Sequence, residues 1–192
     1  MSDISDSNKL LAKTLSILFG TKPQVSRYWD ESNQYYVDIL LCENSPQKNI
    51  SSYGTIGVSD HPLLNEGKDT GFRVELVAAG GAQFSEMANI LSTVAFCVIK
   101  DHWLCASGAL FPDVIKMYRK DSQMKHIMLT TPFLWANLKT IDLIDKKVAW
   151  LLLVPISEKE YQFAEQNGSN ALEDIFNEKQ FDIFNLERAS II

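Results

Sequence analysis

Six consecutive apolar residues, Ala149, Trp150, Leu151, Leu152, Leu153 and Val154, set the strongest constraint on how this chain folds. A strand points alternate side chains to opposite faces, so an unbroken apolar run needs cover on both. The run therefore marks a central strand with material packed above and below. Pro155 is expected to stop it. Ser157, with Glu160 three residues later, forms a capping box that opens a helix closed by Gly168. Ser169 starts another, with Leu172, Ile175 and Phe176 on one side.

Leu11, Leu15 and Leu18 recur at helical spacing before Gly20 and Pro23, giving an N-terminal helix. Strand-like segments fall at residues 25–29, 35–42, 52–58, 72–79, 126–131, 138–144 and 148–154. Gly80 and Gly81 read as a tight turn, after which Ser85 caps a helix running to Lys100. Its interior is nearly all apolar, with Asn89, Ser92 and Thr93 taking only part of the circumference, so it is expected as a buried central helix. Strand clusters broken by single helices, without regular βα alternation, predict an α+β single domain over residues 1–192. Its expected core is a mixed, mostly antiparallel β-sheet with the central helix and flanking helices. Residues 1–8 are small and polar and are expected to be flexible.

The net charge of −6 argues against a nucleic-acid partner, since neutralising phosphates takes Lys and Arg. Five of the six excess negative charges fall in residues 157–192, where eight acids face three bases. Such clustering is most often a solvated helical face; it otherwise favours a basic protein partner. Cys42, Cys97 and Cys105 sit among apolar neighbours, and an odd count suits a reducing compartment. The first apolar run follows acids rather than a basic region. The apolar stretches fall short of the roughly 18–20 residues of a membrane span. The expectation is a cytoplasmic protein with no membrane partner.

Ser59, Asp60 and His61, followed by Pro62, hold three residue types used in nucleophilic catalysis. A triad needs members converging from separate elements, and the surroundings of Ser59 are not G-x-S-x-G, so Asp60 is read as a turn residue and Pro62 as a strand end. Gly80-Gly81 lacks the third glycine and the lysine of phosphate-binding loops. His102 between Cys97 and Cys105 matches no common zinc spacing. Arg73 and Glu75 share one strand face, as an ion pair or polar patch. Trp29, Trp103, Trp135 and Trp150 are scattered and suggest core more than a stacking platform. No catalytic constellation, metal or cofactor is expected.

The order of several segments resembles suppressor of fused-like domains. These are residues 25–30, which include Trp29 and Asp30; residues 37–40, which include Asp38; and residues 53–62, from Tyr53 through Ser59, Asp60 and His61 to Pro62. Phe72 to Leu76, with Arg73 and Glu75, is similar to the strand that follows there, and residues 152–161 (with Pro155), 168–174 and 181–188 complete the succession. The likeness spans roughly residues 18–190. It implies a non-enzymatic binding protein of the bacterial single-domain type, several of which are antitoxins or immunity proteins. The implied partner is a cognate toxin domain, often a nuclease and hence basic. The implied contact patch is Glu158, Glu165, Glu173, Asp174 and Glu178 on the C-terminal helices. Two alternatives stand beside it: an adaptor that sequesters an endogenous protein, and a hydrolase using Ser59 and His61.

Overall fold

The computed structural model describes residues 4–20 and 22–192. In chain order the elements are α1 (Asp6–Phe19), β1 (Gln24–Trp29), β2 (Tyr36–Glu43), β3 (Ile50–Ile56), β4 (Leu64–Asn65), β5 (Lys68–Asp69), β6 (Phe72–Gly81) and α2 (Met87–Ile99). β7 (Leu110–Phe111), β8 (Met124–Thr130), β9 (Ile141–Asp142), β10 (Lys147–Ser157), α3 (Glu158–Asn167) and α4 (Ser169–Glu178) complete the chain.

The main sheet runs β1-β2-β3-β6-β10-β8-β7, with β9 paired to β10. Every pairing is antiparallel except β6 with β10, which run parallel from Phe72↔Lys147 to Val77↔Leu152. This is the mixed, mostly antiparallel α+β sheet expected. Leu151 and Leu153 face the core under α2, with Leu76 and Ala78. Trp150, Leu152 and Val154 face the opposite core, under α1, α3 and α4. The apolar run is thus covered on both faces. α1 packs tightly on β3: a Cβ at Gly54 would lie 2.5 Å from a Leu15 methyl. Gly54 therefore sets the height at which that helix sits.

Several boundaries differ from expectation. Pro155 does not end its strand; β10 continues to Ser157, and Pro155 pairs with Ile127 of β8. The β6 pairing has ended three residues earlier, and the Pro155 carbonyl turns away from β8 to accept from Arg188 at 3.0 Å. The missing N–H thus costs no ladder bond. The segment 138–144 shrinks to the two residues of β9, because Trp135 and Leu138 bury their side chains from a loop. β3 stops at Ile56, and a 3-10 turn at Val58–Asp60 replaces its expected end; Gly57, at φ 113°, makes the break. Gly80 and Gly81 are strand residues rather than a turn. A Cβ on Gly80 would meet Met87 at 2.8 Å, and the Gly81 N–H donates to Phe184. Ser85 does not cap α2, whose N-cap position is Glu86.

The segment expected to be flexible contains the start of α1: Ser5 caps the helix by accepting from the Asn8 N–H, and the residues before Ile4 lie outside those described. The Gly20 C-cap, left-handed at φ 74°, and the Ser157/Glu160 capping box both match the sequence reading.

Candidate functional site

The Ser59–Pro62 segment is a structural joint. The Glu75 carboxylate, fully buried, accepts from the Thr55 hydroxyl at 2.6 Å and from the Gly57 and Ser59 backbone N–H groups at 2.9 and 3.0 Å. Burial pushes its pKa up, against these donors. Ser59 is itself 0% exposed. Asp60 reaches outward, accepting from Asn8 at 2.7 Å and Lys146 at 2.7 Å, and so ties α1 to the β9–β10 turn rather than capping its own turn. His61 lies against the Tyr35 ring, its pKa lowered by burial, and Pro62 is exposed beyond it. Ser59, Asp60 and His61 thus serve three different contacts. Arg73 does not pair with Glu75; it makes a two-point contact with Asp69 at 2.8 and 2.9 Å.

The other motif residues are structural joints of the same kind. Asp30 is buried and accepts from the Gln34 and Tyr35 N–H groups, the Ser32 hydroxyl and Lys100 Nζ. The Ser32 bond leads the interactions that hold its pKa far below the usual carboxylate range. One side chain thus fixes the β1–β2 hairpin to the end of α2. Asp38 is paired across the strands with Arg27, whose guanidinium lies 3.9 Å from the Tyr36 ring centroid. Tyr53 is buried in the middle of β3.

The acidic C-terminal residues divide into two groups. Glu158 is half-buried and contacts His126 Nε2 at 3.2 Å and Gln162 at 2.9 Å. Glu173, also half-buried, accepts from the Thr130 hydroxyl at 2.6 Å. Glu165, Asp174 and Glu178 are exposed, Glu165 accepting from Tyr161. Of the five acids the sequence nominates, these three are the exposed ones.

A second surface was not foreseen. Trp135 and Trp150 are core residues, as expected, but Trp29 and Trp103 are 49% and 41% exposed. Both line a groove of about 510 Å³ between the β1–β2 hairpin and residues 101–118. Its floor is a stripe of α2, Asn89, Thr93, Phe96 and Cys97, the part-exposed side of an otherwise buried helix, continued by Lys100 at its C-cap. Met117 and Tyr118 form the far wall, and the Tyr118 hydroxyl bonds Thr93 at 2.6 Å. Burial and then the Asp101 carboxylate push the Cys97 thiol up to about 11, so it is not a nucleophile at neutral pH. The polar stripe 89–93 on an apolar helix was a signal for this opening. Residues 103 and 117–118 gave none, because their closeness to Trp29 is purely tertiary.

Ser59 is buried, Asp60 and His61 are held in structural contacts, and an aromatic groove stands open between the β1–β2 hairpin and residues 101–118, an arrangement suited to binding. The suppressor of fused protein (SUFU) family model matches residues 33–189, and the chain belongs to that family. It is 43% identical over 190 residues to the immunity protein YqcF of Bacillus subtilis (strain 168), covering 98% of this chain and 99% of that one. Solved structures share the fold at low identity. A suppressor of fused homologue from Neisseria gonorrhoeae superposes with a TM-score of 0.70 at 15% identity, covering 97% of each chain. A chain of a Sufu–Fu complex gives 0.66 at 14%, covering 96% of this chain and 91% of that. Drosophila suppressor of fused gives 0.64 at 14%, covering 96% of this chain and 51% of that.

Proposed function

We propose that this chain is an immunity protein that neutralises a cognate toxin domain in the cytoplasm by binding it, without catalysis. The observation that carries the reading is its likeness to the Bacillus immunity protein over nearly the whole length of both chains. The geometry agrees: Ser59 is buried and Asp60 and His61 are engaged elsewhere, which leaves the hydrolase reading without an assembled nucleophile and base. The mechanism is occlusion, in which the bound protein covers the toxin's working surface. The exposed carboxylates Glu165, Asp174 and Glu178 steer the encounter if the toxin is basic, as a nuclease would be.

Affinity capture of the tagged protein from its own host tests the reading. A toxin domain recovered at near-equal amount is the expected result. Recovery of an endogenous regulator instead would favour an adaptor role.

A further inference from the structure

We propose that the groove between the β1–β2 hairpin and residues 101–118 anchors a cationic side chain, arginine or lysine, carried on an apolar segment of the protein partner. The inference rests on the binding role proposed above and identifies where the partner is gripped and by what chemistry.

Three features of the groove converge on a cation. The first is its charge. Asp30, Glu31 and Asp101 line it against one cation, Lys100, whose ammonium is already bonded to Asp30 at 3.0 Å. Two negative charges are left over, on the exposed Glu31 and Asp101. The bases just outside are committed, Arg27 to Asp38 and Lys116 to Asp113. The second is its walls. The exposed rings of Trp29 and Trp103 are electron-rich and attract a guanidinium or ammonium. Arg27, 6.0 Å from the Trp29 ring centroid, already makes such a contact at the groove's edge, and the ring of Trp103 has no cation against it among the described contacts. The third is rigidity. Asp30 fastens the hairpin to α2 at one end, the Thr93–Tyr118 bond closes the other, and Trp103 packs on Phe111 with ring centroids 5.3 Å apart. The groove is therefore formed before the partner arrives, which lowers the ordering cost of binding. The apolar floor, Phe96 and Cys97, and the far-wall Met117 suit the neighbours of such a cation. Anionic phosphates are disfavoured by the same charges.

The test needs no toxin. An acetylated and amidated Leu-Arg-Leu peptide is titrated into the full chain and followed by amide and indole NMR shifts, beside a peptide with neutral citrulline in place of arginine. The expected result is that Asn89, Thr93 and the Trp103 indole shift, with Kd for the arginine peptide at least about fivefold lower. In the Glu31→Gln/Asp101→Asn variant, shown folded by circular dichroism, that preference disappears. Equal affinity for the two peptides, or no shift at these groove residues, would overturn the proposal. Either failure leaves the immunity reading standing. Groove binding that survives alongside a failure to protect cells from the toxin would remove the immunity reading alone.

Discussion

Arg188 grips Glu160 through two hydrogen bonds of 2.7 and 2.8 Å, both side chains buried, and so fastens the end of the chain to the first turn of α3. The same carboxylate accepts from the Ser157 and Ile191 N–H groups, and the Arg188 guanidinium also donates to the Pro155 carbonyl. Removing the cation strands a buried carboxylate. Arg188→Ala is expected to cost about 3–5 kcal/mol in urea unfolding. A loss below about 1 kcal/mol, the range of exposed pairs, would contradict this picture.

The two buried glutamates predict opposite pH trends. Burial works against ionising Glu160, but Arg188 and the N–H donors outweigh it and its pKa is lowered. Its contribution is therefore complete above the unfolded value, about 4.3, and is lost as pH falls below it. The penalty of Arg188→Ala should shrink on acidification from pH 6 to 3. Glu75 has a raised pKa, so the folded state holds its proton longer and stability declines as pH rises from the unfolded value through the folded one. The Tm of Glu75→Gln relative to wild type should accordingly rise between pH 4.5 and pH 8. A constant difference would show that Glu75 does not titrate in that window.

Ser59→Ala and His61→Ala should fold and protect cells from the toxin as well as wild type does, since the Ser59 side chain is fully buried and His61 lies against the Tyr35 ring. Lost protection by variants with unchanged Tm would revive the hydrolase.

Charge reversal separates the exposed acids from the engaged ones. Glu165→Lys/Asp174→Lys/Glu178→Lys should slow association with a basic toxin by about tenfold at low salt, a difference that fades in high salt. Glu173→Gln should act instead through its bond to Thr130, changing stability more than association rate. An unchanged association rate in the triple variant would remove this surface from the mechanism.

Much of the fold was legible wherever local chemistry decides the outcome. Gly20 and the Ser157/Glu160 box act within a few residues, and each marks its element correctly. Pro155 misled because its tolerance depends on where the neighbouring strand ends, and residues 138–144 because side chains can bury from a loop. The groove was the least visible. It is assembled from residues 28–31, a stripe of α2 and residues 101–118, and it turns Trp29 and Trp103 from expected core into surface.

The central claim is tested most directly by growth of cells expressing a candidate toxin domain from the same host, with and without this chain. The account predicts that co-expression restores growth and that the two proteins purify together in equal amounts. Undiminished toxicity in the presence of abundant, folded protein would contradict it.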